Sequence, residues 1–321
     1  MFEAIADAVA GGLLGLDTTA RLGRTVRFFV REILVIGGLL VVVTHLMGLV
    51  NALLPVHRVR DAIASGDLRG LEHFSASLFG AVTPFCSCSS IPLFIGFLQA
   101  GLPLGVTFSF LITSPLVNEV ALAVFLGSFG WKVTVLYAGA GVMLGTVLGP
   151  LLGRMGLEEH LELWVRDAAA ETRDAGPEAV DRGDWREVLR GVSADATRIV
   201  TDVAPYVVAG VAVGSVVHGW VPAGVFETWL GEENALAVPA AVTVAVPIYA
   251  GASGVIPVVQ SLVAKGVPLG TALAFMMGVV GLSLPEALML KKVMRPRLLA
   301  LFFGGVAACI VLLGYAFNLL L

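Results

Sequence analysis

Long apolar runs are the feature that most constrains this chain of 321 residues. A bilayer crossing needs about 20 apolar residues, and six runs reach that length: residues 33–54, 102–127, 131–152, 199–221, 267–290 and 298–321. Only 14% of the residues are charged, where a soluble domain carries about 25%. These features predict an all-α polytopic membrane protein rather than a soluble enzyme, a disordered chain or a fibrous protein.

Two further apolar segments are interrupted by proline. The interruptions are Pro84 and Pro92 within residues 71–100, and Pro239, Pro247 and Pro257 within residues 236–264. Each helical arm of the first segment would span roughly half of the 30 Å hydrocarbon layer. We expect both segments to fold back as re-entrant hairpins with tips near mid-membrane, buried in protein or lining a wet cavity. A broken crossing is the alternative for each.

The two halves of the chain resemble each other. Residues 101–105 (Gly-Leu-Pro-Leu-Gly) recur 165 residues later as residues 266–270 (Gly-Val-Pro-Leu-Gly), and Pro92 and Pro257 keep the same offset. Proline-interrupted segments at corresponding places in two halves are typical of transporter binding sites. The distribution of Lys and Arg favours hairpins, which give each half an odd number of crossings. We therefore predict two inverted repeats, with six full spans plus two hairpins, or eight helical membrane segments.

The chain is expected to have four parts. They are an N-terminal interfacial helix (1–26), a first membrane repeat (27–152), a charged linker (153–194) and a second membrane repeat (195–321). Apolar residues recur at helical spacing near the N-terminus, with Glu3 and Asp7 off that stripe, which is typical of a helix lying on a membrane surface. We expect the linker to be a solvated, cytoplasmic segment of a multi-pass plasma-membrane protein.

The most informative string is residues 83–92, Thr-Pro-Phe-Cys-Ser-Cys-Ser-Ser-Ile-Pro. In extended backbone, which the prolines favour, Cys86 and Cys88 point to the same side with Cα atoms about 6.7 Å apart. Both sulfurs could then reach one thiophilic centre. Pro92 suits the first turn of a following helix, whose free N–H groups favour thiolate. The alternative treats both cysteines as small buried hydrophobes, which is the interpretation of Cys309.

This string belongs to a wider pattern. Together with residues 101–105 and residues 113–119 (Thr-Ser-Pro-Leu-Val-Asn-Glu), it resembles the ArsP/YraQ-type predicted permeases. Residues 251–254 and 283–286 are similar to the second repeat of that family. The resemblance implies a permease, with efflux of trivalent organoarsenicals such as methylarsenite as the leading activity. A monosubstituted trivalent arsenical has two exchangeable positions, which suits two thiolates.

Further polar residues within the apolar runs complete the predicted site. Those expected to contact substrate beside the thiols are Ser87, Ser89, Ser90, Ser114, Asn118 and Ser253. Glu119 and Glu286 are expected to couple an ion, because carboxylates at membrane depth are costly and mark transport. His45 joins them because histidine titrates near neutral pH. The structural alternatives are helix capping for the glutamates and a buried hydrogen bond for the histidine.

These residues predict a secondary transporter, with no enzymatic activity and no cofactor, that exports a thiophilic solute. The chain has no Gly-x4-Gly-Lys-Ser/Thr motif, so its energy must come from an ion gradient, with protons first, or from an accessory protein. A net charge of -4 gives no sign of nucleic-acid binding. Membrane lipid is an expected partner, and a homo-oligomer is left open.

Two other functions use the same cysteines. A membrane thiol–disulfide conduit would use Cys86 and Cys88 as a redox pair with a redox partner protein, but residues 249–253 of the second hairpin offer no matching cysteine. An exporter of a soft metal cation such as Cu(I) would bind its cargo with the same two thiolates as metal ligands.

Overall fold

The computed structural model describes residues 2–17, 20–53, 71–83, 87–99, 101–117, 119–166, 185–220, 234, 236–248 and 252–321. The described chain is helical, and its strand pairing is limited to a single antiparallel bridge between Leu161 and Met294. The helices are α1 (Phe2–Asp7, continued by a π-helical turn, Ala8–Leu13), α2 (Arg21–Leu53), α3 (Glu72–Val82), α4 (Ser87–Gln99), α5 (Leu104–Leu116), α6 (Glu119–Gly153), α7 (Trp185–Trp220), α8 (Ala237–Ala245), α9 (Ala252–Ala264), α10 (Leu269–Gly281), α11 (Leu284–Leu290) and α12 (Pro296–Leu320). The prediction of an all-helical chain is thus confirmed for these residues.

Three stretches of the described helices are long and apolar enough to cross a membrane by length and composition. They are Phe125–Gly153, Leu269–Leu290 and Pro296–Leu320. Helices α2 and α7 have 33 and 36 residues and contain most of two further predicted spans. At 1.5 Å per residue, each of these two helices is about 50 Å long, well beyond the hydrocarbon thickness.

The helix bounds repeat at an interval of 165 residues. The 13-residue helix α4 recurs as the 13-residue helix α9, and α5 recurs as α10, with both ends shifted equally. Helix α3 begins at Glu72 and α8 at Ala237, which is the same shift. The internal repeat that the sequence predicts is therefore present in the secondary structure.

Short loops of the same geometry join the second and third helices of each repeat. Gly101 and Gly266 adopt φ values of 81° and 89°, in the left-handed region that favours glycine. Pro103 and Pro268 then occupy the N-caps of α5 and α10, where a missing N–H costs no helical hydrogen bond. These tight turns send α5 back along α4 and α10 back along α9.

The chain also folds back between α3 and α4. The rings of Phe79 and Phe97 lie with centroids 6.3 Å apart, whereas 18 residues of unbroken helix would separate them by about 27 Å. Both rings pack in a core that α3, α4 and α5 share. Its members are Ala76, Phe79, Leu93, Phe97, Leu102, Val106 and Phe110. The predicted reversal within residues 71–100 is confirmed, and an unbroken span is excluded.

The second proline-broken segment reverses in the same way. In each repeat the first helix runs parallel to the third, as contacts at two levels show. The pairs that lie against each other are His73 with Ser109, Gly80 with Ser114, Val238 with Ala274, and Ala245 with Gly278. Because α9 connects the parallel helices α8 and α10, it runs in the opposite direction to both.

Helix α6 changes direction at Gly130, where φ is 78° and ψ is 173°. The ring centroids of Phe125 and Tyr137 lie 4.7 Å apart across this point, whereas a straight helix would separate them by about 18 Å. After Gly130, α6 runs back along α5, and the glycines of α6 lie in close contact with α5. The predicted spans 102–127 and 131–152 are therefore neighbours of opposite direction, and the first is interrupted between α5 and α6.

Helix α12 packs in the second repeat as the end of α6 packs in the first. Gly314, which lies 165 residues after Gly149, is in close contact with Ala274 of α10. Near the end of α12, Asn318 accepts a hydrogen bond from the Thr271 backbone N–H and donates one to the Thr271 hydroxyl, each 3.1 Å long.

The chain divides into two compact units. Unit 1 comprises Met1–Val42, Val200–Pro285 and Ile310–Leu321, and unit 2 comprises Val43–Ile199 and Glu286–Cys309. The hairpin formed by α3 and α4 lies wholly within unit 2, and the hairpin formed by α8 and α9 lies wholly within unit 1. Each unit therefore contains one hairpin with the parallel helix that follows it.

The N-terminal segment is tied to α2 by ion pairs. Arg27 pairs with Asp7, and Nε of Arg31 lies 3.7 Å from Oε1 of Glu3. The two acidic residues are exposed and contact arginines that belong to α2, and the interfacial role of this segment stays a prediction. Because these side chains are largely exposed, each pair contributes at most about 1 kcal/mol.

The first part of the linker is packed, contrary to the solvated helix that its charge predicts. Leu157, Leu161 and Val165 are buried at a spacing of four residues. The indole N–H of Trp164 donates to the carbonyl of Lys292 at 3.1 Å. Two backbone bonds support this contact, from Glu162 N–H to Val293 C=O at 2.9 Å and from Arg295 N–H to His160 C=O at 2.8 Å. The many charges of the linker conceal its short apolar stripe.

Candidate functional site

In the first repeat, the end of the first hairpin helix and the end of α5 lie at one level. Helix α3 ends with Thr83 in extended backbone, and α5 ends with Val117 in extended backbone. The two helices are parallel, and a Cβ on Gly80 would lie 3.2 Å from the backbone nitrogen of Ser114. Two interruptions of helical structure therefore meet side by side within unit 2.

The second repeat builds the same arrangement with a direct hydrogen bond. Helix α10 ends at Leu282, which has φ of −130° and ψ of 18°. The N–H of Leu284, at the start of α11, donates to the carbonyl of Val246, the residue after α8, at 3.0 Å. The end of the first hairpin helix thus contacts the helix break in this repeat as well.

The described residues of the cysteine string after Thr83 belong to the start of the returning helix. Helix α4 begins at Ser87, so Cys88 and Ser89 are its second and third residues, while Cys86 lies outside the described residues. The expectation that Pro92 opens this helix, with Cys88 in extended backbone before it, is wrong. Pro92 is instead the sixth residue of this helix, past the first turn, where its ring removes a helical hydrogen bond.

The corresponding hydrogen bond is also missing in the second repeat. Pro92 has no N–H to donate to the residue four before it, so the carbonyl of Cys88 lacks its helical donor. Pro257 leaves the carbonyl of Ser253 in the same position, since Ser253 is the second residue of α9. Both helix starts also carry N–H groups without helical acceptors. Each helix start therefore has backbone N–H groups without helical acceptors and one carbonyl, that of Cys88 in α4 or of Ser253 in α9, without its helical donor.

The two predicted coupling carboxylates begin the helices that follow the breaks. Glu119 is the first residue of α6, and Glu286 is the third residue of α11. The Glu286 side chain is 1% exposed, and its Oε2 has no hydrogen-bond partner among the described residues. A helix N-terminus favours a negative charge nearby, and a buried oxygen without a partner is costly. Ion coupling and helix capping both stay predictions for this residue.

The other predicted residues are distributed over both units. Ser90 and Ser114 are fully buried in unit 2, and His45 is half-buried in α2 of the same unit. Asn118 lies outside the described residues, between α5 and α6. Ser253 belongs to α9 in unit 1.

A polar seam between α3, α5 and α6 is absent from the sequence-based prediction. It consists of His73, Ser77, Ser109 and Thr113, of which the three hydroxyl residues are fully buried. Nδ1 of His73 lies 3.0 Å from Oγ of Ser109. The signal that could have revealed it is the four-residue spacing of each pair, matched by glycines at the same spacing in α6, which is typical of close helix contacts in membranes.

Metal-binding side chains are sparse in the described part of the chain. No group of three or more His, Cys, Asp or Glu residues is placed there to hold a metal ion. Cys309 is an unpaired, half-buried thiol in α12. A soft centre at the hairpin tip would thus depend on Cys86 and Cys88 together.

Comparisons with known proteins identify the family of this chain. Residues 21–319 match the family model ArsP_1, which describes a predicted permease. The UPF0718 protein MJ0584 of Methanocaldococcus jannaschii is 19% identical, over 78% of this chain and 83% of that protein. No solved structure matches the chain significantly. Because the matched region includes both hairpins and both helix breaks, the chain belongs to the ArsP_1 family of predicted permeases.

Proposed function

We propose that the protein is a secondary transporter of the plasma membrane that exports a thiophilic solute, with trivalent organoarsenicals as the substrate class. The observation that carries this proposal is the position of Cys88. It lies at the start of a returning hairpin helix, in the repeat where a second helix breaks at the same level before Glu119. Paired helix breaks near mid-membrane, repeated in two halves, are how many transporters build a solute site.

The thiols supply the chemistry of binding. A monosubstituted trivalent arsenical exchanges two As–OH bonds for two As–S bonds with Cys86 and Cys88, and the thiol protons leave with the hydroxides as two waters. Free N–H groups at the start of α4 favour the thiolate form that attacks. Polar groups around the tip would then orient the bound arsenical. These are Ser87, Ser89, Ser90, Ser114, Asn118 and Ser253.

Protons are the proposed coupling ion. Glu119, Glu286 and His45 are the groups that would bind and release them, since each is an ionisable residue within an apolar helix. In this proposal the hairpins are re-entrant, the repeats are inverted with eight helical membrane segments, and the linker is cytoplasmic. Alternating access would come from movement of one repeat against the other.

The test of the substrate is a comparison of four variants, Cys86→Ser, Cys88→Ser, the double variant and Cys309→Ser. We expect either single change to weaken binding of phenylarsine oxide by roughly 100-fold, because one thiolate cannot chelate. The double change should add little, as expected for residues that act as a unit. Binding is measured on purified protein, and resistance is measured in an arsenic-sensitive host.

Cys309→Ser is the matched control and should bind and protect like the unmodified protein. A double variant that still binds and exports the arsenical would contradict the proposal. Parallel resistance assays with arsenite and Cu(I) separate the substrates, and protection against copper alone would favour a metal exporter. Trapping of a Cys86–Cys88 disulfide during turnover would favour a redox conduit instead.

A further inference from the structure

The polar seam of the first repeat forms a connected hydrogen-bonded group. Oγ of Ser109 lies 3.0 Å from Nδ1 of His73 and donates to the carbonyl of Gly105 at 3.1 Å. Ser77 and Thr113 donate to the carbonyl of Ser109 at 3.3 and 3.0 Å. The imidazole therefore lies at one end of a set of buried hydroxyl groups.

The second repeat provides an internal control for this seam. The positions 165 residues later in the chain are all apolar: Val238, Val242, Ala274 and Gly278. They nevertheless mediate the same parallel packing of the first helix on the third, with Val238 beside Ala274 and Ala245 against Gly278. Since this packing forms with apolar residues at all four equivalent positions of the second repeat, helix association does not require the histidine and hydroxyls of the first.

The imidazole of His73 has hydrogen-bonding groups around it. Oγ of Ser109 lies 3.0 Å from Nδ1, and a hydroxyl can donate to a neutral ring nitrogen or accept from a protonated one. The ring can therefore keep this contact in both protonation states. The charged groups that act on the ring are Glu72, its neighbour in α3, and Arg154, just after α6, and the backbone of Gly105 also faces it.

The seam also has a direction. His73 is the second residue of α3, at the base of the hairpin, and it is half-buried. From Ser109 the seam continues to Thr113, beside Ser114 and the end of α5, over a helix length of about 10 Å. A proton bound at His73 therefore lies on the pair of helices, α3 and α5, whose far ends meet at the helix break.

We propose that His73, held by Ser109, is a proton-binding site of the transport cycle at the base of the first hairpin. This inference rests on the proposed proton coupling. The imidazole takes a proton from water on one side of the membrane and returns it to water after the conformational change, and only one N–H bond forms and breaks. The positive charge then lies between α3, α5 and Arg154. It changes the relative stability of two positions of the hairpin, in the same way that ligand binding shifts a conformational equilibrium.

The test uses the second repeat as the guide for substitutions. His73→Val and Ser109→Ala introduce the residues found at Val238 and Ala274, so the packing they create already exists in this fold. His73→Gln keeps a donor for Ser109 but cannot titrate. Proteoliposomes loaded with the purified protein are given phenylarsine oxide, and export and lumenal pH are followed between pH 5.5 and 8.5.

We expect His73→Gln and His73→Val to bind phenylarsine oxide normally, to export it roughly tenfold more slowly at the optimum, and to lose the pH dependence of export. Ser109→Ala should shift the pH profile without abolishing it. His160→Gln, which changes a histidine of the linker, is the control and should keep the unmodified profile.

Two results would overturn the inference. Unchanged pH profiles in both His73 variants, with the unmodified protein moving protons, would leave the proposed transport intact and make the seam structural. Export by the unmodified protein without any proton movement would reject proton coupling itself, and with it this role of His73.

Discussion

Gly145→Ala is expected to lower the free energy of unfolding by about 3 kcal/mol or more, since overpacking a buried helix contact costs that much when backbone must move. A methyl group at this position would overlap the Thr113 hydroxyl. It would also come within 2.6 Å of the Ser109 carbonyl oxygen and 2.7 Å of the Ser77 hydroxyl. The carbonyl cannot rotate away, so α5 and α6 would have to separate. Denaturant unfolding of purified protein in detergent measures the loss.

The same helix offers a matched control. A Cβ on Gly139 would meet no atom within 4 Å, so Gly139→Ala should be neutral or stabilising by up to about 1 kcal/mol through helix propensity. In the second repeat, Gly314→Ala should destabilise because its methyl would lie 2.5 Å from Val238 and 2.8 Å from Ala274, whereas Gly304→Ala meets nothing. Equal stability of the Gly145 and Gly139 variants would mean that α5 and α6 do not pack as described.

Glu286→Gln is expected to keep the fold and arsenical binding while reducing proton-driven export by roughly 100-fold, the scale of a lost proton-transfer group. The Glu286 carboxyl is buried, and its Oε2 has no hydrogen-bond partner in the part of the chain that the structure describes. A neutral amide of the same shape removes the cost of burying a charge there and also removes the proton. Glu119→Gln should behave similarly. Acidification of vesicles driven by phenylarsine oxide measures the coupling.

Glu158→Gln is the control, because Glu158 is an exposed linker residue. Export by the Glu286 and Glu119 variants with an unchanged pH dependence would assign both glutamates to helix capping. The His73 variants can be distinguished from the Glu286 and Glu119 variants. They are expected to export slowly without pH dependence, whereas the two glutamate variants lose proton movement altogether.

Much of the fold follows from proline and glycine positions. Prolines at positions 84 and 247 predict that helices end before them, and α3 and α8 do end at Val82 and Ala245. The loops at Gly101 and Gly266 need a left-handed residue, so the reversals and their repeat could be predicted from the chain alone. The start of α4 could not. Its position at Ser87 rather than at Pro92 depends on how the hairpin packs, because proline inside a helix costs about 3 kcal/mol that packing must offset.

The candidate site divides in the same way. Glu119 and Glu286 were predicted because ionisable residues in apolar runs are rare, and that rarity is visible without a structure. The seam around His73 and the packed start of the linker were not predicted, since serines and histidines at four-residue spacing acquire meaning only when another helix supplies their partners. Residues such as Trp164 are fixed by contacts more than 100 positions away.

The sequence by itself thus determined that this chain is helical and apolar, where its helices break, and that the pattern occurs twice. These are local properties, set by backbone dihedral limits and the cost of burying charge. The tertiary structure alone decided that the broken ends meet at one level in each repeat, that Glu286 is buried with an Oε2 lacking a hydrogen-bond partner among the described residues, and that His73 meets Ser109 of another helix. Those properties depend on which helices, distant along the chain, come into contact, and the local pattern of residues does not specify those contacts.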